Sequence, residues 1–496
     1  MMKKYLPAIL ILSLTKLVIQ LLGNRNYGFH RDELLHLSVS EHLQWGFMEF
    51  PPLIGLIGKV AHLLFGYSLM GVRFFPTLAG VAILILCCLM ARELGGKRPA
   101  VVLAGICILA FLPFYRNHTL FQPVAFDQLF WTLGFYLLLR FFNTRDRTFL
   151  LLLGVTLGLG LLNKYTMLVW VLGVLAGLLF YRRGSLFTNR WLYLSALLTL
   201  LLILPNIIWQ VQHDFPVWRH LQTLQTKQLE GRDSFAFVRE QLDLPFTLLI
   251  SLIGVIALLG GKHLRTYRPI GVAAVVIFGT MWALQAKAYY VYALYPVLFA
   301  AGAVAIGERL SRRPVWVYAA AALTLLPSVY FIPYLTPLLP IEQFVAYAKL
   351  EPENGRVELT GDYADMFGWE EQVQLVDSVY QSLPPAERAN CVLWAENYGE
   401  AGALKILGKP YGLPNPISRH GSFWLWGYGD PEAEVWISLG NEPPAVEHVF
   451  AEVELIKIIT HPYAIGEENG IPLYLCRTPK VDIPTWWAAY EAHVFD

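Results

Sequence analysis

The chain is written largely in apolar blocks. Eleven mostly hydrophobic runs fall at about 5–23, 69–92, 99–115, 123–142, 148–162, 165–181, 191–209, 244–261, 269–285, 289–307 and 314–333. A hydrocarbon core is about 30 Å thick and takes roughly 20 helical residues to cross. The runs therefore predict eleven transmembrane helices, several of them short for that distance. A further stretch, PPLIGLIGKVAHLLFG at 51–66, carries Lys59 and His62 and reads as interfacial or as a partial helix. The first run extends to Gly23, contains Lys16 and lacks an A-x-A cleavage pattern. It reads as a retained first helix rather than a secretory signal.

Two polar stretches interrupt this pattern. GFHRDELLHLSVSEHLQWGFMEFPP, Gly28 to Pro52, holds Arg31, Asp32, Glu33, Glu41, Glu49 and three histidines beside a membrane run. Asp32 and Glu33 open an amphipathic pattern continued by Leu34, Leu35, Leu37, Val39 and Leu43, which predicts a helix lying on the membrane surface. Charge at a bilayer edge marks a functional site by default; the alternative is that the two acids only cap a helix. The stretch 210–243, with Trp, Phe and Leu among charges, predicts another surface helix. From about 335 the pattern changes. CVLWA, EVWISL and IPLYLC read as strands, and EQVQLVDSVYQSL and GEAGALKIL as helices. The expected organisation is a transmembrane domain over 1–334 and a soluble α/β domain over 335–496.

The loops set an orientation. Lys3/Lys4, Arg92/Lys97/Arg98, Arg140/Arg145/Arg147, Arg182/Arg183/Arg190, Lys262/Arg265/Arg268 and Arg309/Arg312/Arg313 alternate with short loops holding single cations, Arg116, Lys164 and Lys287. By the positive-inside rule the N-terminus is cytoplasmic, and Asp32 and everything after 334 lie outside. The location expected is the cytoplasmic (inner) membrane. A crossing by 51–66 would invert every later loop.

Composition agrees with a membrane protein: 56% of residues are hydrophobic, 15% charged, and mean hydropathy is +0.47. A net charge of +1 points to no nucleic-acid partner. Among the five cysteines no CxxC occurs, which excludes zinc-ribbon and thioredoxin readings. Cys391 and Cys476 both lie at strand-like positions of the C-terminal domain, either as a disulfide or as two buried thiols.

The orientation gathers Asp32, Glu33, Glu49, Asp127, Lys164 and Lys287 at one membrane boundary. Singly, each has a plain explanation, such as a snorkelling lysine or a capping aspartate. Together, carboxylates and two lysines suit an anionic lipid phosphate and a proton to be removed. Glu49 with His213 or His220 is a candidate set for a divalent metal, although the spacing specifies none. Walker A, G-x-S-x-G and HExxH patterns are absent.

RDELLHLSVSEHLQWGFMEFPPL, FQPVAFDQLFW, GLGLLNKYT and AYYVYALYP resemble bacterial members of glycosyltransferase family 39, which contains protein O-mannosyltransferases and the aminoarabinose transferases of lipid A. ENYGEAGALKILG and LPNPISRHGSFWLWG resemble the soluble tail of bacterial members, so the resemblance covers nearly the whole chain. It implies a GT-C membrane fold, a polyprenyl-phosphate-linked sugar donor, a lipid, glycan or protein acceptor, and inversion at the anomeric carbon. By that resemblance Asp32 matches the catalytic base, Glu33 its acidic neighbour, Asp127 a second acid in the next external loop, and Glu49 the acid before the Pro-Pro pair. Where aminoarabinose transferases carry a lysine between that acid and the prolines, this chain has Phe50. Lys164, Lys287 and Arg31 are the candidates for the donor phosphate. The rival classes are a secondary transporter or lipid flippase, which would place charge near the midplane on broken helices, and a non-catalytic membrane scaffold.

Overall fold

The computed structural model describes residues 4–179, 187–229, 233 and 235–495; Lys3, Arg182 and Arg183 of the cation pattern lie outside the described residues. Each of the eleven apolar runs holds a helix among the described residues: Leu6–Gly23, Leu69–Glu93, Arg98–Ala110, Pro123–Thr144, Thr148–Asn163, Met167–Leu179, Arg190–Gln212, Pro245–Gly260, Arg268–Ala283, Tyr295–Arg309 and Val315–Phe331. Five stretches among the described residues are long and apolar enough to cross a membrane alone: Leu6–Gly23, Leu69–Glu93, Arg190–Gln212, Ala288–Arg309 and Val315–Tyr334. The shorter helices end where the backbone breaks. Thr148–Asn163 stops because Lys164 is extended, at φ −159° and ψ 135°. Ala236–Leu242 and Pro245–Gly260 are bent by 108° at the residues before Pro245.

The helices show reversed polarity, as lipid rather than water requires. In Leu6–Gly23 the exposed face is Leu10, Ile11, Leu14, Val18 and Leu22, whereas Ser13, Lys16 and Gln20 are buried. Leu197, Leu200, Leu201, Leu204 and Ile208 likewise face outward from Arg190–Gln212. At one end of the bundle Tyr267 donates a hydrogen bond to Asn143 at 2.6 Å, and Asn143 donates to the Glu93 carbonyl at 2.9 Å. These are the helix ends whose loops carry the multiple cations. The 51–66 stretch forms the 13-residue helix Leu53–Phe65, too short to cross, with Leu56, Val60, Leu63 and Leu64 exposed. Pro216–Leu224 is the expected amphipathic helix of the long polar loop, with Trp218 and Leu221 outward.

The helix expected on the membrane surface differs from its prediction. It spans Arg31–Val39, and Leu34, Leu35, Leu37 and Val39 are buried together with Glu33, His36 and Ser38. A surface helix would keep its polar face wet; this one is covered on both sides because the C-terminal domain docks onto it. The Tyr398–Leu407 helix lies against it through Gly399 and Gly402. A Cβ at Gly402 would come 2.8 Å from Leu34 Cβ and 3.0 Å from its carbonyl carbon, and one at Gly399 would come 2.6 Å from Arg31 Cγ. Side-chain-free positions one turn apart thus set the approach of the two helices.

The C-terminal domain carries a five-stranded sheet in the order β2-β1-β3-β5-β4. Its strands are β1 Cys391–Ala395, β2 Ile417–Ser418, β3 Val435–Leu439, β4 Phe450–Ile459 and β5 Ile471–Pro479. β1 is parallel to β2 and β3, and β5 is antiparallel to β3 and β4. Alternation along the strands gives the sheet two apolar faces. Cys391, Leu393, Ile437 and Leu475 pack toward the Arg31–Val39 helix in one core. Trp394, Trp436, Tyr474 and Cys476 form a second core on the opposite face. Cys391 and Cys476 therefore point to opposite sides of the sheet and are two free thiols, not a disulfide.

Candidate active site at the bundle–domain junction

The site starts from the cap of one short helix. His30 caps Arg31–Val39: its Nδ1 accepts from the Asp32 N–H at 3.1 Å, and Glu33 Oε2 accepts from the His30 N–H at 2.9 Å. The same Glu33 receives Arg73 Nη2 at 2.7 Å, Arg73 Nε at 3.0 Å and the Phe121 N–H at 2.8 Å. Glu33 and Arg73 are both fully buried. Burial would raise the Glu33 carboxyl, but Arg73 and these hydrogen bonds hold it below its usual range. Glu33 is thereby consumed as the pin between this helix, the Leu69–Glu93 helix and the turn before Pro123.

Successive helical residues point about 100° apart. With Glu33 turned into the bundle, Asp32 faces the junction with the C-terminal domain and is half-buried. Gln122 Nε2 donates to its Oδ2 at 2.9 Å, and Tyr398 Oη donates to its Oδ1 at 3.1 Å. Burial pushes Asp32 up; the positive charge of His30 and Arg116 and the Tyr398 hydrogen bond outweigh it, so its pKa lies below the ordinary value. His30 Nε2 lies 3.7 Å from Asp362 and 3.6 Å from Asp365. Arg116 reaches Asp362 at 2.6 Å, and Arg31 reaches Asp365 at 2.7 Å and Glu467 at 3.0 Å.

A second group lies toward the bundle. Asp127 Oδ2 accepts from Thr166 at 2.8 Å, while its buried Oδ1 has no hydrogen-bond partner among the described residues. Lys164 Nζ stands 4.2 Å from the Tyr290 ring centroid and 5.3 Å from that of Tyr289. Tyr290 is within electrostatic reach of Lys164, Lys287 and Asp127, and Tyr289 within reach of Asp32 and Arg116. The two tyrosine rings, 4.6 Å apart, link the Asp32 group to the lysines. The site can thus offer an ionised carboxylate on one side and ammonium groups on the other.

The structure does not assemble the candidate metal set. Glu49 Oε1 and Oε2 accept from the Ser422 N–H at 2.7 Å and the Ser422 hydroxyl at 2.5 Å. His213 stacks on Trp209 at 4.0 Å, with Nδ1 2.8 Å from the Trp209 carbonyl oxygen. His220 packs on Phe495 at 4.7 Å. Among the described residues no group of three His, Cys, Asp or Glu could hold a metal ion. Arg31 is likewise committed to carboxylates rather than set apart for a phosphate. Sequence reasoning missed Arg73, although a cation inside an apolar run is a readable signal. It also missed Arg116, Gln122, Asp362, Asp365, Tyr398 and the Tyr289–Tyr290 pair as members of one site. For Asp362, Asp365 and Tyr398 no local signal exists, since their partners on the bundle lie at least 246 residues away.

Comparison with known proteins bears on the fold. The dolichyl-phosphate-mannose-protein mannosyltransferase family model matches residues 49–209. The structure is similar to that of ArnT from Cupriavidus metallidurans bound to undecaprenyl phosphate, at 12% identity and TM-score 0.63, covering 96% of this chain and 99% of that one. The apo state of the same protein aligns at 13% identity and TM-score 0.59, covering 95% and 98%. The Archaeoglobus fulgidus oligosaccharyltransferase aligns at 13% identity and TM-score 0.53, over 87% of this chain and 67% of that one. No curated protein matches by sequence. The chain is a polytopic membrane protein with the fold of the GT-C glycosyltransferases, a helical bundle carrying a small C-terminal sheet domain.

Proposed function

We propose that this protein transfers a sugar from a polyprenyl-phosphate carrier to an acceptor outside the cytoplasmic membrane, with inversion and with Asp32 as general base. The observation that carries the reading is the Asp32 carboxylate. It is biased toward its ionised form, held by Gln122 from the bundle and Tyr398 from the C-terminal domain. Each carboxylate oxygen has two acceptor sites, so one hydrogen bond on each leaves room for an acceptor group. As the acceptor oxygen or nitrogen attacks the anomeric carbon, its proton passes to Asp32. The bond from that carbon to the phosphate oxygen breaks, and the electron pair leaves with the phosphate. Lys164 and Lys287 neutralise the departing anion, so no strong acid is needed. A single displacement inverts the anomeric centre. Asp127 orients the Lys164 side through Thr166 and its electrostatic coupling to the lysine. Glu33 acts indirectly, by fixing the rotation of the helix that bears Asp32.

The similarity of the whole fold to a protein bound to undecaprenyl phosphate supports the donor class. The clustering of cation-bearing helix ends at the end opposite Asp32 supports an N-terminus inside and a C-terminal domain outside. A reporter fused at Asp496 that functions only in the cytoplasm would overturn that orientation. The central experiment has two readouts: mass spectrometry of polyprenyl-phosphate sugar co-purifying with the protein, and release of that sugar during turnover. Asp32→Asn should retain the bound donor and lower turnover by about 10²-fold or more. Near-wild-type turnover in Asp32→Asn together with an inactive Asp127→Asn would move the base to Asp127.

A further inference from the structure

Next to Asp32 lies a cavity of about 570 Å³, within the roughly 300–1,000 Å³ range of small-molecule sites. Arg31 supplies its wall on the bundle side; Glu396, Tyr398, Arg419, His420 and Tyr490 supply it from the C-terminal domain. Tyr398 belongs to both places, since its ring meets His420 at a centroid distance of 5.0 Å while its hydroxyl reaches Asp32. The cavity thus adjoins the proposed base through the Tyr398 side chain. Its domain-side wall carries His420, which is within electrostatic reach of His220, itself within reach of Lys287.

The lining selects a chemical class. Both guanidinium groups already have partners: Arg31 on Asp365 and Glu467, and Arg419 stacked 4.2 Å over Tyr490 with a 3.5 Å contact to Asn441. Glu396 and Glu467 balance their charge, and burial holds His420 down to about 4, neutral at physiological pH. A pocket in which Arg31 is neutralised by Asp365 and Glu467, and Arg419 lies within electrostatic reach of Glu396, offers little to a polyanionic head group. Its polar wall likewise offers little to an apolar side chain or an acyl tail. Donors and acceptors of both kinds set among tyrosine rings do suit vicinal hydroxyls and the C–H face of a sugar ring.

Resting on the transferase reading above, we infer that this cavity is the acceptor site and that the acceptor is a carbohydrate without net charge, presented to Asp32 by the C-terminal domain. The test is equilibrium binding to the full-length protein in lipid nanodiscs, using neutral gluco-, manno-, galacto- and N-acetylglucosamine trisaccharides. A Ser/Thr-rich peptide and mannose 6-phosphate serve as alternatives of other chemistry. At least one neutral trisaccharide should bind, and Tyr490→Ala or Arg419→Ala should weaken it by about tenfold, the scale of a lost stacking contact. Undecaprenyl phosphate binding should persist in both variants, which reports that they are folded. The inference is overturned if no trisaccharide binds at millimolar concentration, if neither substitution changes binding, or if only the peptide or the sugar phosphate binds. Asp32→Asn should bind the trisaccharide as the wild type does. Saccharide binding with undiminished turnover in Asp32→Asn would refute the base and leave the pocket standing; Asp32-dependent turnover without saccharide binding would do the reverse.

Discussion

Tyr398, the first residue of a helix in the C-terminal domain, donates a hydrogen bond to Asp32, the second residue of a helix on the bundle, across 366 positions of sequence. The bond makes the C-terminal domain part of the candidate active site rather than an appendage. It is reinforced along the same seam, where Lys409 and Tyr67 pair with Glu41, His42 stacks on Trp426 at 4.2 Å, and Ser422 holds Glu49.

Tyr398→Phe should shift the pH dependence of turnover. The hydroxyl favours the ionised Asp32 and adds to the charge of His30 and Arg116, which together outweigh burial and keep its pKa below the ordinary carboxylate value. Activity from an ionised base is present above that pKa and lost as pH falls through it. Removing the bond raises the pKa, so the acid limb should move upward by about one pH unit, the scale of one hydrogen bond to a charged group. The pH profile of donor turnover measures this. An unchanged acid limb would show that Tyr398 does not set the state of the base.

Breaking the Glu33–Arg73 pair should unfold the protein more readily. Each partner is fully buried, and removing one leaves the other charged and unsatisfied, at a cost of about 3–5 kcal/mol. Arg73→Met should therefore lower thermal stability strongly, and Arg73→Met with Glu33→Gln should recover part of the loss. Thermal unfolding of the detergent-solubilised variants decides. A single variant as stable as the wild type would remove the pinning role.

Lys164→Met and Lys287→Met should weaken binding of undecaprenyl phosphate while leaving the helices intact. An ammonium beside a phosphate at a bilayer edge contributes through charge-assisted hydrogen bonds, and methionine keeps the stem without the charge. A direct binding measurement with lipid in nanodiscs reads this. Unchanged affinity in the double variant would reject both assignments.

Gly402→Val should loosen the domain from the bundle. The nearest Leu34 atoms stand 2.8 Å and 3.0 Å from an ideal Cβ at this position, one of them backbone, and cannot yield cheaply. Limited proteolysis should cut the seam around residues 28–52 faster in this variant, and turnover should fall because Tyr398 moves with its helix. Equal protection of variant and wild type would contradict the close packing.

The sequence by itself determined where the helices run, because an apolar stretch beside lipid has no better way to satisfy its backbone than a helix. It also determined the strands β1, β3 and β5, whose continuous apolar runs can only be buried, and it singled out the acidic pair at the start of one short helix. The exposed, charge-bearing β4, FAEVELIKII, carried no such mark. Which of the two acids would be free was not in the sequence. Asp32 and Glu33 are neighbours with the same local propensities, and only tertiary structure brings Arg73 from 40 residues away and the Phe121 N–H from 88 residues away to consume Glu33. The tertiary structure also took Glu49, His213 and His220 away from a common metal site, by giving each a nearer partner. It brought Asp362, Asp365 and Tyr398 to the helix bearing Asp32. Hydrophobic periodicity is local and is written along the chain; the pairing of charges across hundreds of residues depends on how the two bodies dock, and no local pattern records it.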